Sequence, residues 1–239
     1  MGLFGKKSNF SLDVDLHSHL IPGIDDGSQS IEQSLSMIRN MVDLGFKKII
    51  TTPHIHPRYP NTAEDIMSGL SKLQREIASA EIAIELEAAA EYYVDEIFYA
   101  KIKEDDELLF FGDKYVLVES SFINKPAFFE SAMFDLQSKG YQPVLAHPER
   151  YQFLEGNIEW LKELKGRGIL FQVTLGSMGG YYGDKPLKIS KQLFNEGMVD
   201  FLGSDLHRES HLPCLSKGLK SKEIQRLIKS GQLKNSQLL

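Results

Sequence analysis

Nine imidazole and carboxylate side chains fall where strand ends are expected, and their order points to one metal cluster. His147 stands 28 residues after Glu119, and Glu119 stands 28 after Glu91. All three follow the pair His17-Ser18-His19, which closes an apolar run. One strand, turn and helix of an α/β repeat take roughly 25 to 35 residues, so this spacing returns each side chain to the same rim of a barrel. His54, Asp205 and His207 follow further strand-like segments, and Asp26 lies in the first loop. Gathered at one rim, such groups would repel one another or stay unpaired without cations. Taken singly, each has a plainer reading: surface histidines, helix-capping acids, a turn residue at Asp25-Asp26-Gly27, or loop histidines beside Pro53 and Pro148. Their joint placement is what points to metal.

Strand and helix signals alternate along the chain to position these residues. Strands are expected at 11–16, 47–52, 82–90, 115–118, 143–146, 169–174 and 199–202. Helices are expected between them. Ser30 with Gln33 fits a capping box before a stripe of Leu35, Ile38 and Val42, and Gly45 ends that helix. Thr62 caps a second helix carrying Ile66, Leu70, Leu73 and Ile77. Later helices are expected at 127–139, 158–165 and 187–196. Seven strands with short helical crossovers predict an α/β fold, a closed or distorted barrel of parallel strands. A doubly wound open sheet is the alternative.

At 239 residues, the chain suits a single domain spanning its whole length, 1–239. A net charge of −6 argues against general binding to nucleic acid or membrane surfaces, since no positive field draws polyanions in. No run approaches a membrane span, and the first ten residues lack the apolar core of a signal peptide. With Cys214 as the lone cysteine there is no disulfide framework, and the cytoplasm is the expected compartment. Cys214 also lacks the arginine six positions on that a cysteine phosphatase loop carries, having Lys220 there.

The motifs Asp15-Leu-His17-Ser-His19, Ile24-Asp25-Asp26-Gly27, Thr52-Pro53-His54, Glu91, Glu119, His147-Pro148-Glu149-Arg150 and Ser204-Asp205-Leu206-His207 resemble the polymerase and histidinol phosphatase (PHP) superfamily. Within it they are most similar to the CpsB/YwqE-type manganese-dependent tyrosine phosphatases of bacterial capsule and exopolysaccharide synthesis. Carboxylates at Asp26 and Glu119, where many superfamily members carry histidine, favour this branch. The resemblance covers about residues 13 to 210 and implies a distorted seven-stranded (β/α)7 barrel. It further implies three metal ions. His17, His19, Glu91 and Asp205 would hold the first; Glu91, Glu119 and His147 the second; Asp26, His54 and His207 the third. The donor types suit manganese, iron or zinc, and the resemblance favours Mn2+.

The implied activity is hydrolysis of phosphotyrosine by a metal-activated hydroxide, on the tyrosine-rich tail of a bacterial exopolysaccharide kinase. Arg150 is the expected phosphate clamp, because a guanidinium fork matches phosphoryl oxygens; the other reading is a salt bridge to a rim acid. Arg208 is a second candidate, displaced from the position where related phosphatases carry an arginine. The segment 55–61, with His56 and Arg58, faces substrate or solvent, and Tyr181 and Tyr182 flank an aromatic substrate or pack in a loop. A small-molecule phosphomonoesterase of histidinol phosphatase type and a non-catalytic metal-stabilised module are the alternatives. The tail beyond Leu215, with Ile224, Leu227 and Ile228 in helical spacing, packs on the barrel or meets a partner.

Overall fold

The structure, a computed structural model, describes residues 12–239. The expected start of the first strand at Ser11, and the segment read against a signal peptide, lie outside the described residues. Strands and helices alternate as β1 (Val14–Asp15), α1 (Ile31–Leu44), β2 (Lys48–Thr51), β3 (His54–His56), β4 (Tyr59–Pro60), α2 (Ala63–Ser79), β5 (Glu85–Ala88) and β6 (Glu91–Tyr93). They continue as α3 (Glu96–Lys103), β7 (Tyr115–Glu119), α4 (Phe129–Ser138), β8 (Gln142–Ala146), α5 (Glu159–Gly166), β9 (Leu170–Thr174) and α6 (Leu175–Gly179). The last elements are α7 (Asp184–Asn195), β10 (Phe201–Gly203), α8 (Leu212–Leu219) and α9 (Lys222–Ser230).

Among the described residues ten strands stand where seven were expected, yet seven tracks remain. Each residue of β2 pairs with one 37 positions on (Lys48↔Glu85), and β3 keeps that offset with β6 (His54↔Glu91). Pro53 has no N–H to donate and interrupts the ladder, but Ala89 N donates to Thr51 O and Glu91 N to Pro53 O across the gap. Thus β2 and β3 form one track, as do β5 and β6. The short β4 returns as an antiparallel hairpin on β3, turning segment 55–61 into a β-ribbon at the rim. The remaining neighbours run in chain order, β6-β7-β8-β9-β10, all parallel. No switch point reverses that order, which removes the doubly wound alternative.

Between β10 and β1 there is no ladder. The seam is held by one parallel bridge, Ser18↔Leu206, and by Asp205 N donating to His17 O and His19 N to Leu206 O. Buried Asp15 adds two contacts of 2.7 Å, accepting from Ser204 N and Ser204 Oγ. At the other end of the seam, buried Asn235 donates to Val14 O (3.0 Å) and Leu202 O (2.8 Å) and accepts from Leu202 N (3.0 Å). The C-terminal segment therefore packs on the barrel, and α9 buries Ile224 as the helical spacing required.

Two apolar clusters reflect the two faces of the strands. Val116 and Val118 pack outward under the helices, whereas Leu117 joins Val14, Leu16, Ile50, Ala89, Val144 and Phe201 in an inner plug sealed by Phe111 and Leu238. Helix α1 departs from the expected stripe: Ser34, Met37, Ile38 and Met41 are buried rather than Leu35 and Val42. Its Ser30 cap holds Gln33 N, but Gln33 Oε1 accepts from Gln29 N, so the box is not reciprocal. Thr62 forms a full capping box with Asp65. Helices α3 and α6 were not anticipated; Asp95 caps the first through Phe98 N.

Candidate metal centre

Strand parity lifts the candidate ligands above the apolar plug. Side chains two apart share a face, so inward Ala89 and Leu117 place Glu91 and Glu119 inward one step nearer the rim. Ile50 with Thr52 and His54, and Phe201 with Gly203 and Asp205, follow the same rule. His147 and Asp205 leave their strands through left-handed backbone (φ 34° and 53°), a conformation that disfavours side chains and concentrates at functional sites. Two glycines make room beside them. A Cβ on Gly27 would lie 2.2 Å from His19 O, and one on Gly203 would lie 2.7 Å from His17 Cβ.

All nine expected residues come together. Their donor atoms fall into four overlapping groups: His19-Asp26-His54-His207, His17-His19-Asp205, His17-Glu91-His147 and His54-Glu91-Glu119. This differs in detail from the three sets implied by the resemblance. Glu119 lies 3.2 Å from His54 Nδ1 and 3.9 Å from His147 Nε2, and His19 reaches toward His207 as well as His17.

Residues behind the candidate ligands orient two of the histidines. His17 Nδ1 is 2.8 Å from Gln172 Oε1, and His19 Nδ1 is 2.8 Å from Asp25 Oδ2, leaving both Nε2 atoms turned to the centre. Asp25 also accepts from Gly27 N and His54 N. The sequence reading did not single out Gln172 or assign Asp25 this role. Gln172 was detectable as the polar member of the inward set on β9, between outward Phe171 and Val173.

The fit to cations rests on unpaired atoms. Glu91 Oε2, fully buried, has imidazole nitrogens of His17, His19 and His54 at 3.1 to 3.5 Å, yet meets none in hydrogen-bond geometry. His54 Nδ1 is likewise orphaned. Although His147 Nε2 meets Glu91 Oε1 at 3.0 Å, the donors group around common points, and the set of imidazole and carboxylate without thiolate fits divalent metals.

Electrostatics agree. Burial disfavours the imidazolium form, yet acids outweigh it: Glu91 and Asp205 hold His17 above its ordinary range, Asp25 lifts His19 to about 9, and Glu91 holds His54 well up. Burial would raise Glu91 and Asp205 also, but histidines on every side hold both low. Hydrogen bonds from His207 and His54 hold Asp26 low. Burial and the Arg150 cation together push His147 down. Without metal, protons supply the positive charge that these acids require.

Above the cluster opens a pocket of about 330 Å³ lined by His54, Glu91, Glu119, His147, Asp205 and His207, with Arg150 and an aromatic wall of Tyr59, Tyr93 and Phe122. Arg150 Nη1 lies 2.5 Å from Asp205 Oδ2, so it pairs with a rim acid while lining the pocket. Arg208 is exposed and is not among the lining residues. His56 and Arg58 line the pocket from the β3–β4 ribbon. Tyr182, rather than packing away, donates to Asp205 Oδ2 at 3.1 Å, whereas Tyr181 is 40% exposed. A further imidazole, His211, is buried with its Nδ1 3.3 Å from Asp205 O, and burial with His207 nearby pushes its pKa down to about 4.

A family model described as "Capsular polysaccharide synthesis, CpsB/CapC" matches residues 13–231. The tyrosine-protein phosphatase YwqE of Bacillus subtilis is 32% identical over 199 residues, covering 81% of this chain and 77% of its own. The tyrosine-protein phosphatase CpsB of Streptococcus agalactiae is 28% identical over 214 residues, 87% of this chain and 88% of its own. A structure from work on YwqE and on CpsB of Streptococcus pneumoniae, described as unique metal-dependent tyrosine phosphatases, superposes with a TM-score of 0.81 at 27% identity, covering 93% of this chain and 94% of that one. Histidinol phosphate phosphatase of Lactococcus lactis superposes at 0.56 with 16% identity, covering 92% and 93%, a likeness of fold alone. The chain belongs to the CpsB/CapC family of capsular polysaccharide synthesis.

Proposed function

We propose that this protein is a metal-dependent phosphatase that hydrolyses phosphotyrosine in a protein substrate. The observation that carries the reading is Glu91 Oε2, buried without a hydrogen bond amid three imidazoles at 3.1 to 3.5 Å, at the floor of a pocket that also holds Arg150. The named tyrosine phosphatases to which the chain is similar support the choice of substrate. We assign the nine residues as ligands of three ions, with Mn2+ preferred over iron or zinc, and take the whole chain as one domain. When bound, such cations supply Lewis acidity and a water made nucleophilic near neutral pH.

The chain's own residues do the rest. His17, His19, Glu91 and Asp205 form the deepest ligand layer, held in orientation by Gln172 and Asp25. Arg150 donates N–H groups to the phosphoryl oxygens, the role that exposed Arg208 is less well placed to fill. Phe122, Tyr93 and Tyr59 offer ring faces and edges to the phenyl group of the substrate. The departing phenolate, with an ordinary pKa near 10, is a better leaving group than an alkoxide. The partner we infer is the tyrosine-rich tail of a bacterial kinase of exopolysaccharide synthesis. The inferred location is the cytoplasm; among the described residues, no helix is long and apolar enough to cross a membrane.

The test is hydrolysis of a phosphotyrosine peptide by protein stripped of metal and resupplied with Mn2+, beside Asp205→Ala and beside histidinol phosphate. Activity restored by Mn2+ and absent in Asp205→Ala is the expected result. Preference for histidinol phosphate would overturn the substrate assignment, and no turnover of either would favour a binding role.

A further inference from the structure

Asp205 divides its two oxygens between two assemblies. Oδ1 faces the cluster, 3.4 Å from His17 Nε2, 3.6 Å from His19 Nε2 and 3.3 Å from His207 Nδ1. Oδ2 faces outward and takes Arg150 Nη1 at 2.5 Å and the Tyr182 hydroxyl at 3.1 Å. The guanidinium is covered on two sides, its Cζ lying 4.1 Å from the centre of the Tyr182 ring and 4.7 Å from that of Phe122. A planar cation packed against two rings and held at one edge can direct its remaining N–H donors only within its plane, and Arg150 lines the pocket. The backbone makes space for this arrangement at Gly176, where a Cβ would stand 3.3 Å from Tyr182 Cε2.

We propose that Tyr182 is a positioning residue that joins the phosphate clamp to the metal centre. Its ring sets the plane of Arg150, and its hydroxyl holds Asp205 Oδ2 so that Oδ1 stays turned to the ions. The inference rests on the assignment of Arg150 as the clamp. Two substitutions separate the two tasks. Tyr182→Phe keeps the ring and removes only the hydroxyl, whereas Tyr182→Leu removes both.

Mn2+ alone is titrated into metal-free protein, and KM and kcat for a phosphotyrosine peptide are measured at saturating Mn2+, with thermal unfolding alongside. Tyr182→Phe should weaken Mn2+ binding roughly 10-fold, as lost outer contacts to ligands do, with KM near the parent value once metal saturates. Tyr182→Leu should show the same metal loss and a KM raised about 5- to 30-fold that excess Mn2+ does not restore. Parent-like Mn2+ affinity in Tyr182→Phe would overturn the hydroxyl's role. Equal KM in the two variants at saturating Mn2+ would overturn the ring's. Should the parent protein hydrolyse no phosphotyrosine peptide, the proposed substrate fails, while the Mn2+ titration and orthophosphate affinity still decide both roles.

Discussion

Asn235→Ala tests whether side chains hold the seam of the barrel. Asn235 is 2% exposed and makes three hydrogen bonds, to Val14 O, Leu202 O and Leu202 N, where the first and last strands have no ladder. Truncation leaves three backbone groups buried without partners, at about 1 to 3 kcal/mol each. Water admitted to the vacated space recovers part of this, so a net loss of about 3 kcal/mol is expected, toward the lower bound. Against a total stability of roughly 5 to 15 kcal/mol this is a large fraction. In a chain of this size it corresponds to a fall of about 6 to 12 °C in Tm. Urea unfolding of metal-free protein should show the midpoint falling with the m-value unchanged. Asn235→Asp should be worse than alanine, because it keeps the acceptor for Leu202 N but sets a carboxylate against two carbonyls. The seam also positions chemistry: Val14 leads to His17 and His19, and Leu202 leads to Asp205, so Mn2+ affinity should fall with stability. A loss under about 1 kcal/mol, or aspartate tolerated as well as alanine, would refute this account of the seam.

Three further outcomes are expected. His17→Ala should abolish phosphatase activity while circular dichroism keeps its native form; gross unfolding would assign the metals a structural role. Gln172→Ala should weaken Mn2+ binding by about 10- to 100-fold with the barrel intact, because His17 loses the partner that fixes its tautomer; an unchanged binding isotherm would dismiss Gln172 from the site. Metal binding at pH 7 should release protons, since His19 and His54 are held well above the ordinary imidazole range in the metal-free form and histidine ligands must be neutral. The sign follows from His19: its pairing with Asp25 stabilises the metal-free fold fully below about pH 6.5 and is lost as pH rises through about 9. Calorimetry in buffers of different ionisation enthalpy reads the protons directly, and heats independent of buffer would exclude the release.

The clustering of the nine candidate ligands was legible because they are chemically unusual for strand ends and recur at a steady interval, as with Glu91, Glu119 and His147. What escaped was whatever depends on the opposite side of the molecule. Gln172 meets His17 across 155 positions of sequence, and nothing local to β9 says that an inward glutamine faces an imidazole. Tyr182 was read as flanking an aromatic substrate or packing in a loop, whereas the turn carries it back over Arg150. Pro53 hid the continuity of β2 with β3, since a proline reads as a strand end although the register persists through it. Helix α1 shows the limit of periodicity: Leu35 and Val42 satisfy the spacing, but the crossing over the sheet buries Met37 and Met41 instead.

The division of the barrel interior bears on what the metals are for. Beneath the candidate ligand layer lies an apolar plug of Leu16, Ile50, Leu117, Val144 and Phe201, closed below by Phe111 and Leu238. Around the strands the helices bury a much larger apolar cluster. Both belong to the fold irrespective of metal, so cations are not required to hold the strands together as they are in small zinc domains. The expense of the upper layer, with buried acids, left-handed His147 and Asp205, and a Glu91 oxygen that makes no hydrogen bond, brings the fold no packing that apolar residues would not provide better. Side chains that the fold does not need, held in place by Gln172, Asp25 and Tyr182, are the expected mark of a layer kept for chemistry.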